Sequence, residues 1–365
     1  MKLREIYLKG YKSIDGDVGQ TISFGDVTLL LGANGTGKSN LVSFFKLLNS
    51  MTIGELSKYV GKHGVNRLLY YGLKQTETLS FELQFKSDEI NSYSAVLSHS
   101  YSDNIFIVSN QIRLANNDQI YFLKGSSFES ELRSETSDTC KNLYNFLSNI
   151  RTYQFHDTSD TAPVKLRSYV DDVKFLHSDA GNLAPFLKML QEYPAYKKYY
   201  DRIVRHIQRV MPQFGNFDLE PIPGSENNVR LNWKDSSGND YLFDPGQISD
   251  GSLRFMALAT LLLQPPELLP KFIILDEPEL GLHPAAIAEL SGLVRIAAQN
   301  TQVLVATQST RLVDEFLPEE IVVVERDEQQ RCSVFKKLDA ARLEDWLARY
   351  SLSELWEKNV LGGQP

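Results

Sequence analysis

The sequence has few cysteines, no long apolar run and no excess of positive charge, and each shortage removes a class of protein. Cys140 and Cys332 are the only two cysteines. They stand far apart without a C-x-x-C companion, so neither a disulfide framework nor a zinc site is indicated. No apolar run approaches the ~18 residues of a membrane span. The opening MKLREIYLKGYKSI alternates charged and apolar residues, unlike a signal peptide. A cytoplasmic protein without membrane contact is expected. A formal net charge of −8 argues against a globally basic nucleic-acid binder, although it leaves a local basic face open. Internal repeats, low-complexity linkers and sustained heptads are also missing, which excludes solenoids and long coiled-coil arms. What remains is a chain of 365 residues, 42% of them hydrophobic, enough for a sizeable core in one large domain or two.

Against that plain background one stretch stands out, VTLLLGANGTGKSNLVSFFKLL from Val27 to Leu48. A short apolar run of strand length leads into a glycine-rich turn, after which Leu41, Phe44, Phe45 and Leu48 repeat at helical spacing. Within the turn, Gly32, Ala33, Asn34, Gly35, Thr36, Gly37, Lys38 and Ser39 fit G-x-x-x-x-G-K-[ST], with Asn40 next in line. Glycines there let successive backbone N–H groups curl around a phosphate. The following helix presents its positive end, Lys38 adds a point charge, and the Ser39 hydroxyl is suited to a Mg²⁺ ligand. The pattern reads as a site for a nucleoside triphosphate with Mg²⁺.

A second stretch, KFIILDEPELGLHP, supplies what such a loop needs. The apolar run FIIL delivers Asp276 and Glu277 together at a strand end, where open α/β sheets place their ligands. Asp276 is expected to orient the metal and its water. Glu277 is expected to polarise the attacking water as general base.

Elsewhere, strand-like runs follow one another at TLSFELQFK, SYSAVLSHS, NIFIVSNQIRL and QIYFLKG, a β-rich arm. Residues Ser127 to Asn149 read as a helix, IRTYQFHDTS as a strand ending in a polar loop, and Ala180 to Gln213 as a tyrosine-rich helical lobe. VRLNWKDSSGNDYLF has the look of a hairpin, SDGSLRFMALATLLLQ of a long apolar helix, and the remainder of alternating strands and helices.

Taken in order, the P-loop, ISDGSLRF, IILDEPELGLHP and VLVATQST resemble the ABC-class AAA ATPases of the AAA_21 type, related to RecF, SMC and overcoming-lysogenisation-defect proteins. The resemblance runs over nearly the whole chain. It implies a P-loop α/β head, with 1–150 and 240–350 as a nucleotide-binding lobe carrying the arm at about 75–125, and 151–239 as a helical, signature-side lobe. It assigns Ser249, Asp250, Gly251 and Ser252 to the signature motif that binds the nucleotide held by a second subunit, and Glu279 to His283 to the D-loop. The interval of 27 residues from Ser249 to Asp276 is family-like. Lys12 and Ser13, in REIYLKGYKSI, match the first strand and would lie close to the nucleotide.

Two positions depart from the pattern. Gln308 stands where many relatives carry a histidine; its amide donates to a γ-phosphate but holds no proton charge, so slow turnover is implied. A metal-contacting glutamine belongs after TYQF, where Gln154, His156 and Asp157 compete, and His156 is taken as the metal contact. The long interval from Lys38 to Gln154 argues against a transporter engine. The resemblance further implies an ATP-dependent homodimer or higher homo-oligomer. It implies regulation of an effector nuclease or toxin supplied in trans, as in antiphage defence, because too few residues follow the last strand pair for a fused Toprim nuclease. RecF-like or SMC-like DNA binding in repair is the alternative. KKYYDRIVRHIQR sets Lys198, Arg202, Arg205 and Arg209 on one helix face, either a grip on phosphates or a solvated surface. The closing RLEDWLARYSLSELWEKNVLGGQP places Leu343, Trp346, Leu347 and Tyr350 at helical spacing, read as a helix packed on the sheet with partner docking as the other reading.

Overall fold

The computed structural model describes residues 1–100, 103–116, 119–221, 224–327 and 329–363. Gln364 and Pro365, the end of the closing helical segment, lie outside the described residues. The chain divides into two compact units: residues 1–152, 271–274 and 304–365 form the first, and 153–270 with 275–303 form the second.

In the first unit the strand Val27–Leu31 is buried at all five positions. It lies in the interior of a six-stranded sheet ordered Cys332–Lys337, Ile321–Asp327, Val27–Leu31, Gln302–Thr307, Phe272–Asp276, Ile150–Tyr153. An interior strand covered on both faces needs side chains that are apolar without alternation, which is why VTLLL, FIIL and VLVA read as runs. Ile321–Asp327 pairs parallel to Val27–Leu31 and antiparallel to Cys332–Lys337. The helix Lys38–Ile53 begins at the left-handed Gly37 and stops at the left-handed Gly54. Its Leu41, Phe44, Phe45 and Leu48 are at most 1% exposed, and burial of each such side chain stabilises the fold by about 1.5–3 kcal/mol.

The arm is a second sheet of six antiparallel strands, in the order Gln20–Ser23, Lys2–Lys9, Thr78–Lys86, Ile90–His99, Ile105–Leu114, Ile120–Leu123. In TLSFELQFK the alternation does its expected work: Leu79, Phe81, Leu83 and Phe85 are buried, and Phe81 meets Phe44 of the P-loop helix edge-on at 5.3 Å. The expected helix over 127–149 is shorter. A single 3₁₀ turn, Glu131–Arg133, precedes a helix Asp138–Ser148, because the Ser137 hydroxyl accepts from the Cys140 N–H and caps the helix there.

The second unit is mainly helical, with Leu183–Glu192, Lys197–Val210, Asp250–Leu263 and Pro284–Ala298 packed in sequence-neighbour pairs. The helical lobe expected over 180–213 is broken at Tyr193–Tyr196, where Pro194 has no N–H to continue the first helix. Asp250–Leu263 is buried almost all round from Leu253 on, which marks it as the unit's central helix. The hairpin is present as Asn232–Asp235 paired with Leu242–Phe243.

The closing segment forms two helices instead of one. A capping box of Ser351 and Glu354 starts a fresh helix, Leu352–Glu357, after Ala340–Leu347 has ended. The first of the two buries no residue, and Trp346 is 45% exposed, so it is not the sheet-packed helix expected from its periodicity. Among the described residues no helix is long and apolar enough to cross a membrane.

Candidate functional site

The glycine-rich turn of the first unit is held open by a wall that its own sequence does not contain. Ser333, fully buried on the strand Cys332–Lys337, donates its hydroxyl to the Thr36 carbonyl at 2.5 Å. A Cβ on Gly37 would stand 2.1 Å from that hydroxyl oxygen, so only glycine fits at this left-handed position. Behind it runs a relay of donors: the Asn40 amide to the Ser13 hydroxyl at 2.7 Å, Ser13 to Ser333 at 2.6 Å, and Ser333 to Thr36. Ser13 and Asn40 are therefore brought together at the start of the P-loop helix. Ser333 is an addition for which the sequence carried no signal.

Lys38 is only 5% exposed, and its ammonium bonds the loop carbonyls of Gly32 at 2.5 Å and Ala33 at 2.9 Å. A cation folded back on the loop that it serves is available for exchange: a phosphate oxygen offers a full charge in place of two dipoles. Asn34, Gly35 and Ser39 are exposed, which leaves the loop amides and the serine hydroxyl open to a ligand. Lys12 adopts the left-handed region at φ 50, donates its N–H to Leu68 and its ammonium to Ser43 at 2.7 Å. Burial, then repulsion from Lys46, holds its pKa below the usual lysine value. Gln308, exposed, directly follows the buried strand Gln302–Thr307. The turn after it is capped by the Ser309 hydroxyl accepting from Leu312.

Beside Ser13 and Asn40 lies an open groove of about 520 Å³ whose lining includes Lys12, Lys62, His63, Arg67, Arg326 and Arg331. Among the described residues no acidic side chain lines it. Burial lowers the His63 pKa, and repulsion from Lys12, Lys62 and Lys46 lowers it further. Cations that crowd one another in this way favour an anionic ligand.

In the second unit Asp276 ends the apolar strand, and Glu277 takes φ 47. A glutamate in the left-handed region carries a strain of about 1–3 kcal/mol, of the sort concentrated at functional turns. The His156 Nε2–H donates to the Asp276 carbonyl at 3.1 Å, and its Nδ1 faces the Gln154 amide at 3.3 Å. With both ring nitrogens so engaged, the ring orients the Asp276–Glu277 turn; to ligate a cation it would have to leave one partner. Asp157 turns outward, its carboxylate held below the usual range by the Ser159 hydroxyl and N–H.

Ser249 caps the central helix, its oxygen accepting from the Ser252 N–H at 3.2 Å, and Ser249 and Asp250 are exposed. The motif is thus an outward-facing helix N-terminus. A Cβ on Gly251 would clash with the Gly281 carbonyl, so the backbones of Ser249–Ser252 and of the turn at Gly281 touch. Arg254 locks the same region. Its guanidinium donates to the carbonyls of Phe155 (3.0 Å), His156 (2.9 Å) and Leu280 (2.8 Å), joining two loops, one nearly a hundred residues before it in the sequence and one after it, to its own helix. The signal for it was a lone charge inside the apolar run SLRFMALATLLL.

The basic face of Lys197–Val210 is partly engaged within the chain. Arg209 pairs with Glu289 at 3.1 Å, the Arg205 guanidinium bonds the Asp201 carbonyl, and Lys198 lies over the Tyr199 ring.

Among the described residues no group of three or more His, Cys, Asp or Glu converges to form a metal cage. Mg²⁺ needs no such cage, since it is ordinarily held by one or two protein oxygens together with substrate phosphates and water. Ser39 and Asp276 are donors of that kind.

A family model described as "AAA domain, putative AbiEii toxin, Type IV TA system" matches residues 27–314. Among solved structures, an SMC head bound to the C-winged helix domain of ScpA is similar at TM-score 0.60 and 15% identity, over 94% of this chain and 100% of that one. An Smc head domain with an extended coiled coil, bound to the C-terminal domain of ScpA and derived from Pyrococcus furiosus, is similar at TM-score 0.58 and 15% identity, over 95% and 98%. At that identity the likeness is one of fold, the α/β head of a P-loop ATPase. No curated protein matches the sequence.

Proposed function

The chain belongs to the AAA_21 family, ABC-class AAA ATPases of the RecF and SMC type, and on that premise we propose an ATP-driven switch that closes as a homodimer and regulates a partner effector, a nuclease or toxin, in antiphage defence. The observation that carries the nucleotide half of this reading is the P-loop itself, with Lys38 parked on its own carbonyls and the outer amides exposed. Bound Mg²⁺ supplies charge neutralisation between phosphate oxygens; Ser39 and Asp276 are the residues to hold it, with Gln154 or His156 as the further contact. Glu277 accepts a proton from the attacking water, and Gln308 donates its amide to the γ-phosphate. Lys12 and Ser13 flank the nucleotide, and Gly32 to Asn40 cradle it.

The dimer half rests on the signature motif. Ser249 to Ser252 form an exposed helix N-terminus suited to an anion, and Arg254 with Gly251 makes that surface continuous with the D-loop. The effector half rests on the toxin–antitoxin wording of the family description alone. The first experiment is light scattering with phosphate release. ATP-Mg²⁺ is expected to double the particle mass, ADP to leave it unchanged, and the dimer to decay as phosphate appears. Unchanged mass with no phosphate released would overturn the reading.

The basic groove favours a second reading, a RecF-like or SMC-like ATPase that grips nucleic acid directly. Five lysine and arginine side chains line the groove of a chain whose net charge is −8, which makes it a local exception. Under this reading the triple variant Lys62→Ala, Arg67→Ala, Arg331→Ala loses duplex affinity, and the slope of log affinity against log salt falls by about 3. Fluorescence anisotropy of a labelled duplex across a salt series measures both. Wild-type protein that ignores DNA with and without ATP would leave the effector switch as the reading.

A further inference from the structure

We propose that residues 351–363 act as a strap that fixes the mouth of the P-loop, with Gly363 as a positioning residue for nucleotide binding. The proposal rests on the reading that this loop holds ATP. At one end of the strap the Gly363 carbonyl accepts from the Ala33 N–H at 2.9 Å, and the Gly363 N–H donates to Glu325 Oε1 at 3.1 Å. Glu325 belongs to the strand paired with Cys332–Lys337, and Lys336 across that pair bonds its other oxygen at 2.5 Å. Gly362 and Gly363 both lie in the left-handed region, at φ 80 and 79. A Cβ on Gly363 would stand 2.7 Å from Val323 Cγ1 and 3.6 Å from the Cα of Gly32. A bare main chain is thus laid directly on the first glycine of the loop.

At the other end the Ser353 N–H and hydroxyl donate to the Asp314 carboxylate at 2.8 and 2.6 Å. The helix Leu352–Glu357 packs on the turn Thr310–Val313, which follows Gln308 with one residue between. Between the two ends Leu355, Trp356 and Leu361 are buried, so the segment is anchored on either side of the exposed residues 357–360.

The physical consequence concerns Lys38. Its ammonium is parked on the carbonyls of Gly32 and Ala33 and has to leave them to meet a phosphate. The Ala33 N–H is committed to the strap and shares a rigid peptide plane with the Gly32 carbonyl, so that carbonyl cannot swing to follow the departing ammonium, and the loop stays open. The strap therefore acts on binding and not on the chemical step, and it ties the loop to the segment that carries Gln308.

The test compares Gly363→Val with wild type in the full chain. A branched side chain is expected to displace the strap, raising the KM and Kd for ATP about tenfold while kcat at saturating ATP stays within about twofold, a split that general destabilisation does not produce. Asn tolerates a left-handed backbone, and removing the Val323 methyl groups makes room for its Cβ, so Gly363→Asn combined with Val323→Ala is expected to recover most of the affinity. Hydrogen exchange at the Ala33 amide gives a readout without nucleotide, protected in wild type and faster in Gly363→Val. Should wild type bind no ATP while exchange behaves as expected, the strap stands and the nucleotide reading fails. Equal ATP affinity and equal Ala33 exchange in Gly363→Val and wild type would sink the strap.

Discussion

Lys38→Ala protein is expected to show no measurable ATP binding by isothermal titration, while its melting temperature stays close to that of wild type. The ammonium makes charge-assisted bonds to phosphate oxygens worth about 1.5–3 kcal/mol each, so loss of two of them weakens binding by about 10²- to 10⁴-fold. Stability responds differently. In the ligand-free chain Lys38 is nearly buried and satisfies the Gly32 and Ala33 carbonyls, so the alanine leaves those acceptors short of a donor. They sit in a loop with exposed neighbours at Asn34 and Gly35, where water can replace the ammonium. Lys38→Met, which keeps the buried stem without the charge, separates the two effects. It should match alanine in binding and wild type in melting. Tight ATP binding by either variant would remove the P-loop from the nucleotide site.

The Glu277→Gln protein is expected to bind ATP like wild type, to release phosphate about 10²- to 10⁴-fold more slowly, the range of a positioned general base, and to accumulate as a dimer when ATP is added. Glutamine is isosteric and keeps whatever bonds fix the turn, but its amide accepts no proton at neutral pH. The backbone adds a control. Since Glu277 sits at φ 47, Glu277→Gly relieves the strain of a side chain at a left-handed position while removing the carboxylate. Glycine should therefore melt no lower than glutamine and still be as slow. If Glu277→Gln hydrolysed ATP at the wild-type rate, the base would have to be another group. Asp276 and His156, which share that turn through the bond from the His156 ring to the Asp276 carbonyl, would then be examined first.

The parts of the site that could be read from the sequence are those whose chemistry is local. The P-loop carries its own glycines, lysine and serine within eight positions, and its flanking strand and helix announce themselves by uninterrupted and by helical apolar spacing. Asp276 and Glu277 follow a buried strand directly, and Ser249 caps the helix that its spacing suggested. The β-rich arm was legible for the same reason, most clearly in Thr78–Lys86, where one face of the strand is buried and the other is not. Ser333 was not legible: a serine at a strand position is ordinary until the fold lays it against Gly37. The Gly362–Gly363 pair reads as a chain end unless one knows that Ala33 donates to it. Arg254 falls between these cases: its charge within an apolar helix was a signal that went unused, and it could not have named the three carbonyls it serves. The terminal helix misled in the opposite sense. Leu343, Trp346 and Leu347 recur at the right spacing, yet periodicity says only that a stripe exists and not what covers it, and the structure leaves it half open.

The wall that Ser333 provides also sets a schedule. The hydroxyl that shapes the loop lies 297 residues along the chain from the Thr36 carbonyl it supports. At a synthesis rate of about 5–20 residues per second, the P-loop leaves the ribosome some 15–60 seconds before its wall exists. During that interval the nascent chain holds every residue of the phosphate-binding motif but not the finished cradle. A ribosome stalled midway presents the glycine-rich turn without the hydroxyl of Ser333 that supports it. The wall arrives late, with the edge strand Cys332–Lys337.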